Sequence, residues 1–325
     1  MNAWLSWGIP INIWLQSLGD WLIQPMKFFT FLGTEEFFML VMPAVLWCFN
    51  VGLGFRLALI LLASDGLNGS LKLAFGWPRP YWVSSQVRAL STEASFGLPS
   101  GHAQTALALW GRLAAGIRRR WATILLGLVI FLISISRLYL GVHFPSDTLV
   151  GWLVAGLLLW AFLKWDGPVS QRLGKLSVPG QAAVALVVSL LILGLQLAVF
   201  ALTAGRAIPP EWAQMATAAA PGAAPIDPRN IEGMFSSAGL LFGIGAGGAL
   251  LFSWGQFSAG GVWWKRLLRY LLGLIGVVVL WRGLDMVFPE GASVVALALR
   301  YLRYAVVGFW AAYLGPKVFV WLRLA

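Results

Sequence analysis

Apolar runs of about 17 to 25 residues recur along the whole sequence, and they limit the folds open to this chain more than any other feature. Each run is long enough to cross a hydrocarbon core of roughly 30 Å as a helix. The composition agrees, because 59% of the residues are hydrophobic and only 11% are charged, with a mean hydropathy of +0.80. Such values lie outside the range of soluble globular domains. We therefore expect an all-α fold, a polytopic bundle of membrane helices.

The apolar runs predict nine transmembrane helices and a division of the chain into three parts. Residues 1–35 are expected to form an amphipathic segment in the membrane interface, with one helix over residues 10–31. Residues 36–180 form a core of five transmembrane helices, and residues 181–325 add four more of unassigned role. The loop near residues 205–235 is rich in small residues and is expected to be a flexible cover. The predicted spans are residues 36–52, 54–75, 101–117, 121–140, 147–165, 181–204, 236–254, 267–288 and 293–322.

Basic residues cluster in alternate loops and predict the orientation of the bundle. The clusters Arg118–Arg120, Lys164–Lys175 and Lys265–Arg269 fall on one side if the helices alternate. By the positive-inside rule this side is the cytoplasm, which also places the C-terminus in the cytoplasm. The loops at residues 76–100 and 141–146 then lie on the extracytoplasmic face of a plasma membrane. The net charge of +11 arises mostly from the cytoplasmic loops, so no nucleic-acid partner is expected.

Polar residues gather at the helix ends that face the extracytoplasmic side. His143 and Asp147 are one helical turn apart, so the carboxylate can hold one imidazole nitrogen and leave the other as a nucleophile. A helix N-terminus at Ser100 and Gly101 offers backbone N–H groups to an anion. Together with three cations these groups describe a phosphate pocket. The complete set is Lys72, Arg79, Ser100, Gly101, His102, Arg137, His143 and Asp147.

A metal site is the competing interpretation of His102, His143 and Asp147. Three positive side chains at the same place would repel a divalent cation, and further ligands are not evident. Cys48 is the only cysteine, so a site with several cysteines is excluded. We therefore expect neither a metal nor another cofactor.

The spacing of these residues resembles three signature motifs of the type 2 phosphatidic acid phosphatase family. The resemblance covers roughly residues 54–165. The matching stretches are Lys72 with six residues before Arg79-Pro80, then Pro99-Ser100-Gly101-His102, then Ser136-Arg137 with five residues before His143 and three more before Asp147. The family resemblance implies core helices like those of the acid phosphatase and haloperoxidase bundle.

The resemblance also implies roles for the individual residues. His143 would be the nucleophile, oriented by Asp147, and His102 would be the general acid. The remaining positions would hold the phosphoryl oxygens without a metal: Lys72, Arg79, Ser100, Gly101 and Arg137.

A lipid phosphomonoester or pyrophosphate is the expected substrate, of the phosphatidate, phosphatidylglycerophosphate or polyprenyl phosphate type, with a phosphohistidine intermediate. Membrane lipids are then the expected surroundings, and the sequence predicts no oligomeric state. A sugar-phosphate phosphatase similar to glucose-6-phosphatase is the alternative. Two other functions are less favoured. A vanadate-dependent haloperoxidase would be expected in a soluble chain, and a phosphate-binding transporter would not need His143 paired with Asp147.

Overall fold

The computed structural model describes residues 7–325, and all regular secondary structure in that range is helical. The all-α prediction is therefore confirmed. The first six residues of the predicted N-terminal segment lie outside the described residues. The described helices are α1 Gly8–Ser17, α2 Ile23–Phe31, α3 Glu35–Ala44, α4 Val51–Phe75, α5 Pro80–Val83, α6 Gly101–Ile117, α7 Arg120–Tyr139, α8 Pro145–Leu173, α9 Val178–Leu202, α10 Pro210–Ala219, α11 Glu232–Trp254, α12 Trp263–Asp285, α13 Val294–Phe309 and α14 Gly315–Trp321.

Seven helical segments within residues 7–325 are long and apolar enough to cross a membrane, and the number rises to eight if one bent pair is a single span. The predicted total of nine is not confirmed. One reason is α6, which has only 17 residues. At about 1.5 Å per residue such a helix is roughly 25 Å long, shorter than a typical hydrocarbon core. The other reason is the bent pair itself, Asp20–Phe31 and Glu35–Phe49, whose two halves meet at 48°.

The single helix predicted over residues 10–31 is wrong. α1 ends at Ser17, and Gly19 follows with φ of 108°. A right-handed helix cannot continue through a positive φ, which glycine adopts without a steric penalty. The chain restarts as a 3₁₀ turn over Asp20–Leu22 and continues as α2.

The predicted cover near residues 205–235 contains a helix, α10, instead of being irregular throughout. Pro210 begins this helix, where a missing backbone N–H is tolerated. The ring of Trp212 lies 6.1 Å from the ring of Trp82 in α5. Farther along, the Asp227 N–H donates to the Ala94 carbonyl oxygen at 3.1 Å. These contacts give the segment a defined place within its unit.

The chain divides into two compact units. The first contains the described residues up to Phe37, together with Leu67–Leu159 and Leu197–Asn230. In this unit α6 and α7 pack together around Ala106 and Ile133, neither of which is exposed. It also contains the ends of α4, α7 and α8 that carry the predicted site residues.

The second unit contains Phe38–Gly66, Trp160–Gln196 and Ile231–Ala325. Its tightest packing is between α11 and α13. A Cβ atom on Gly239 would lie 2.1 Å from the carbonyl oxygen of Tyr301. The backbones therefore approach more closely than any larger residue would allow, as small residues commonly permit between membrane helices.

Candidate active site

His143 and Asp147 form a buried pair at the junction of α7 and α8. Pro145 begins α8, where the absence of a backbone N–H costs no helical hydrogen bond. The Nδ1 atom of His143 lies 3.1 Å from Oδ2 of Asp147, and neither side chain is exposed. The Phe144 N–H donates to the same carboxylate oxygen at 2.9 Å. The first turn of α8 therefore fixes the carboxylate against one nitrogen of the imidazole.

The other ring nitrogen of His143, Nε2, faces a guanidinium. Nη1 of Arg79 lies 3.2 Å from it. Arginine can only donate hydrogen bonds, so this contact requires Nε2 to accept. Oδ2 of Asp147 already acts as an acceptor toward the Phe144 N–H, so Nδ1 of His143 carries the proton that is donated to it. Both neighbours thus select the same neutral tautomer, with the lone pair on Nε2.

The surroundings of His143 also favour its neutral form. Burial lowers the pKa of His143 well below its usual value, and the positive charges of Arg79, Arg137 and Lys72 lower it further. The imidazole is therefore neutral near pH 7. A neutral imidazole with an available lone pair is a competent nucleophile toward phosphorus.

Two of the predicted phosphate-binding cations are linked through one loop residue. The guanidinium of Arg79 is fully buried and donates to the carbonyl oxygen of Ser95 at 2.7 Å and to that of Phe96 at 3.1 Å. It also donates to the Val142 carbonyl oxygen at 2.9 Å. The ammonium group of Lys72 donates to Oγ of Ser95 at 2.8 Å. Backbone carbonyls thus hold Arg79 in one orientation beside His143.

The third cation, Arg137, contacts two residues that the sequence analysis did not single out. Its Nη1 atom donates to the Thr30 hydroxyl at 2.6 Å, and its Nη2 atom donates to the Glu93 carboxylate. The other oxygen of Glu93 lies 3.9 Å from Nη2 of Arg79. Burial alone would raise the pKa of Glu93, but Arg137 and Arg79 outweigh it and hold this pKa well below its usual range. An ionised carboxylate therefore rests on the cations predicted to hold phosphate.

The motif that opens α6 is tied to neighbouring segments through its main chain. The Ser100 N–H donates to the Asp147 carbonyl oxygen at 3.0 Å, and the Gly97 N–H donates to that of Trp77 at 2.8 Å. A Cβ atom on Gly97 would lie 2.7 Å from the Pro78 carbonyl oxygen, so only glycine fits there. The Ser100 side chain caps α6 by accepting from a backbone N–H in its first turn.

His102 lies in the first turn of α6 with one ring nitrogen unused. Its Nε2 atom is buried and has no hydrogen-bond partner within the part of the chain that the structure describes. A Cβ atom on Gly33 would lie 3.2 Å from Cδ2 of His102, so the connection between α2 and α3 packs against the ring. At Gly101, a Cβ atom would lie 3.2 Å from Oδ1 of Asn68. An unpaired imidazole nitrogen here can exchange a proton with a ligand in the pocket.

Helix α1 supports the turn that carries His143. Asn12 is fully buried, and its Nδ2 atom donates to the carbonyl oxygens of Leu138 at 2.7 Å and His143 at 3.0 Å. Gln16 donates in the same way to the Tyr139 carbonyl oxygen at 2.9 Å. The two amides are four residues apart and share one face of α1. That spacing was a usable signal in the sequence, because paired amides on an apolar helix need buried partners.

The described residues contain no group of three or more His, Cys, Asp or Glu side chains placed to hold a metal ion. The positive charge of the site comes instead from Lys72, Arg79 and Arg137. These three side chains can bind an anion, and the neutral imidazole of His143 beside them can react with it.

Comparisons with known proteins assign the chain to a family. Residues 53–169 match the family model described as the PAP2 superfamily. Residues 235–325 match a second model, described as the transmembrane extension of PAP2 superfamily phosphatases. Phosphatidylglycerophosphatase B of Bacillus subtilis is 30% identical over 157 residues, which are 44% of this chain and 74% of that protein. The chain belongs to the PAP2 superfamily.

Other similar proteins match a comparable share of this PAP2 chain. Human glucose-6-phosphatase 3 is 28% identical over 185 residues, 49% of this chain and 53% of that protein. The chain thus spans about half of the length of this relative. The crystal structure of a transmembrane PAP2-type phosphatidylglycerolphosphate phosphatase from Bacillus subtilis is 26% identical, with a TM-score of 0.46, and covers 52% of this chain and 89% of that one.

All eight residues predicted from the motifs lie within the PAP2 match and within the first compact unit. The structure brings His143 into contact with Asp147 and Arg79, and it links Lys72 to Arg79 through Ser95. It adds four residues that the motifs do not contain: Asn12, Gln16, Thr30 and Glu93. Three of these belong to the segment predicted to be interfacial, so that segment takes part in building the site.

Proposed function

We propose that this chain hydrolyses a lipid phosphomonoester or pyrophosphate through a phosphohistidine on His143. The observation that carries the proposal is the buried pair of His143 and Asp147, in which the Nε2 lone pair faces the guanidinium of Arg79. Phosphoryl transfer needs a nucleophile in line with the leaving oxygen and fixed positive charge around the phosphorus. The same pocket contains both.

In the first step, Nε2 of His143 attacks phosphorus. A P–N bond forms, and the bond between phosphorus and the leaving oxygen breaks with its electron pair on that oxygen. His102 donates the proton that the leaving oxygen needs. Lys72, Arg79 and Arg137 stabilise the charge on the remaining phosphoryl oxygens, together with the backbone N–H groups at the start of α6.

In the second step, water attacks the phosphohistidine. The P–N bond breaks, its electron pair returns to Nε2, and inorganic phosphate leaves. His102, now neutral, accepts the proton of the attacking water and regains its starting state. Asp147 keeps the proton of His143 on Nδ1 throughout, so Nε2 remains the reactive nitrogen. The three cations supply the charge that a metal ion supplies in other phosphatases, so the proposed reaction is metal-independent.

The proposed substrate is a phosphate attached to a lipid, of the phosphatidate, phosphatidylglycerophosphate or polyprenyl phosphate type. The seven apolar helices support it, because a membrane chain meets lipid phosphates at headgroup depth. The similarity to phosphatidylglycerophosphatase B also supports it. A sugar phosphate is the second candidate, favoured by the match to human glucose-6-phosphatase 3.

We also propose that the catalytic core is residues 36–180, with the site on the extracytoplasmic face of a plasma membrane and the C-terminus in the cytoplasm. The clusters Arg118–Arg120 and Lys265–Arg269 support this orientation, because such basic loops stay in the cytoplasm. A cysteine introduced as Ser91→Cys should react with a membrane-impermeant thiol reagent in intact cells. Reaction only after permeabilisation would reverse the orientation.

The activity is tested by phosphate release from a panel of lipid and sugar phosphates, using purified protein in detergent. Wild-type protein should prefer the lipid phosphates, and His143→Ala should release no phosphate. The matched control is Ser91→Ala, in a partly exposed loop position, which should keep wild-type activity. Near-normal release by His143→Ala would overturn the mechanism, and a preference for sugar phosphates would overturn the substrate class.

A further inference from the structure

A cavity of about 570 Å³ lies at one end of the second unit. The beginning of α11, the end of α12, the loop after it and α13 contribute its wall. Its volume is within the roughly 300–1,000 Å³ typical of small-ligand sites. None of the residues of the proposed reaction lines it. The wall includes Glu232, Trp281, Asp285, Glu290, Arg300 and Arg303.

The cavity reaches from the helix ends into the bundle. Glu232 is the first residue of α11, and Asp285 is the last residue of α12. Arg300 and Arg303 are the seventh and tenth residues of α13. At about 1.5 Å per residue, they lie roughly 9 and 14 Å along the axis from the start of that helix. Charged side chains at such a depth in a membrane helix face a cavity or partner and mark candidate ligand sites.

The charged groups of the wall are arranged as pairs of opposite sign. Arg303 donates to the Asp285 carboxylate, and Nη1 of Arg300 lies 2.6 Å from Oε2 of Glu232. The exposed Glu290 adds a third carboxylate. Both pairs border the volume of the cavity.

Arg303 has a hydrogen-bonding group that the protein leaves unused. Only 6% of this residue is exposed, and its Nε atom is without a hydrogen-bond partner anywhere in residues 7–325. A buried charged N–H without an acceptor is unfavourable. An acceptor oxygen of a bound ligand would satisfy it, and the guanidinium geometry matches phosphate oxygens well.

Aromatic rings complete the wall of the cavity. The Trp281 indole N–H donates to the Tyr304 hydroxyl at 3.2 Å, and the guanidinium carbon of Arg303 lies 5.3 Å from the centre of the Tyr304 ring. The guanidinium carbon of Arg282 lies 4.4 Å from the centre of the Trp281 ring, so an arginine lies against each of the two rings. The wall group suited to an amine is therefore the exposed carboxylate of Glu290, and the guanidinium groups are suited to a phosphate.

Apolar side chains surround the helix ends at this cavity. Met286 and Val287 follow α12 and are 88% and 77% exposed, while Val294 and Val295 begin α13 and are 84% and 63% exposed. Exposed apolar side chains at the ends of membrane helices are suited to contact with lipid, which is compatible with a ligand that has an acyl chain.

We propose that this cavity binds a phosphodiester headgroup that carries an ammonium group, as a zwitterionic phospholipid does. The phosphate oxygens meet Arg303 and Arg300, and the ammonium group meets Glu290 and Glu232. The wall has three carboxylates and two guanidinium groups, so a headgroup that brings an ammonium group with its phosphate matches it better than an anionic headgroup does. The proposal concerns a site separate from the proposed reaction and does not depend on it.

The test measures binding of three probes to the purified full chain in a maltoside detergent by equilibrium dialysis. Each measurement is made without and with vanadate, which mimics the phosphoryl group in the transition state and fills the catalytic pocket. The probes are dihexanoyl phosphatidylethanolamine, dihexanoyl phosphatidylglycerol and glycerophosphoethanolamine. The ethanolamine lipid should bind at least about tenfold more tightly than the glycerol lipid, which lacks the ammonium group. Equally tight binding of glycerophosphoethanolamine would support recognition of the same phosphodiester and ammonium groups, with a soluble ligand instead of a lipid as the occupant. Equal binding of the two lipids, or loss of ethanolamine-lipid binding when vanadate is added, would overturn the proposal.

Variants of the wall locate the binding. Glu290→Gln and Arg303→Gln should each weaken ethanolamine-lipid binding by about tenfold. The matched control is Arg172→Gln, because this arginine is exposed at the end of α8 and is not part of the wall. If Arg303→Gln does not fold, Arg300→Gln takes its place beside Glu290→Gln, which changes an exposed loop residue. Unchanged binding in the folded wall variants would overturn the proposal.

Discussion

Replacing Asn12 with leucine is expected to lower both the stability and the turnover of this chain. Asn12 is 131 residues from His143 in the sequence, yet its amide donates to the carbonyl oxygens of His143 and Leu138. Leucine keeps roughly the volume of the side chain and removes both donors. The substitution therefore isolates the support that α1 gives to the turn carrying the proposed nucleophile.

The two contacts set the size of the effect. Each hydrogen bond contributes about 0.5–1.5 kcal/mol net, and a buried acceptor left unpaired costs about 1–3 kcal/mol. The Leu138 carbonyl oxygen also accepts from the Gly141 N–H at 3.1 Å. Removing the Asn12 amide from this oxygen should therefore cost only about 1 kcal/mol, the lower limit for a buried acceptor. The free energy of unfolding should therefore fall by about 2–4 kcal/mol. A displacement of His143 by about 1 Å would lower kcat about 100-fold.

The assay combines the thermal unfolding midpoint in detergent with phosphate release. Inhibition by inorganic phosphate, which the cations bind, should stay close to wild type, because the Asn12 amide donates to Leu138 and His143 and not to these cations. The matched control is Gln181→Leu, which removes an amide that donates to the Leu176 carbonyl oxygen at 3.1 Å in an exposed setting. If Asn12→Leu matches this control in both midpoint and kcat, then α1 does not hold the turn in place.

Four further predictions address the chemistry of the site. Asp147→Asn should lower kcat about 10⁴-fold, because an amide can stabilise the wrong imidazole tautomer; a loss below tenfold would contradict the assigned role. Glu93→Gln should tighten vanadate inhibition at least about tenfold, since a carboxylate no longer competes for Arg137 and Arg79; an unchanged inhibition constant would count against it. Because burial and nearby cations lower the pKa of His143, the acid limb of kcat/KM, on which this nucleophile becomes protonated, should have its midpoint below about pH 6.5. A midpoint of this limb at or above about pH 6.5 would contradict a lowered pKa of His143. Activity should survive EDTA, and loss on chelation with recovery on adding Mg²⁺ would show that a metal takes part.

Local spacing explains what the sequence could predict of the site. His143 and Asp147 are four residues apart at the start of a helix, and this separation by itself brings an imidazole and a carboxylate together. Ser100 likewise precedes an apolar run, the usual position of a helix cap. The lengths of the apolar runs predicted the helices in the same local way.

Contacts between distant segments explain what could not be predicted. Glu93 lies in a loop whose path is set by partners such as Arg137, and no periodic pattern marks it. Thr30 reaches the same arginine from a helix 107 residues away in sequence. The count of nine spans is not confirmed, because the run over residues 101–117 forms a helix of only 17 residues and hydropathy does not register the bend between α2 and α3.

The hydrogen bond from the Ser100 N–H to the Asp147 carbonyl oxygen joins the anion-binding turn to the orienting carboxylate through main-chain atoms alone. No substitution at Asp147 removes it, and at Ser100 only proline would. Variants that are inactive because a side chain at one of these positions was changed therefore keep the main-chain distance between the two turns. Asp147→Asn protein is accordingly a suitable host for trapping an unreacted substrate, so that its tail can be identified directly by crystallography or electron microscopy.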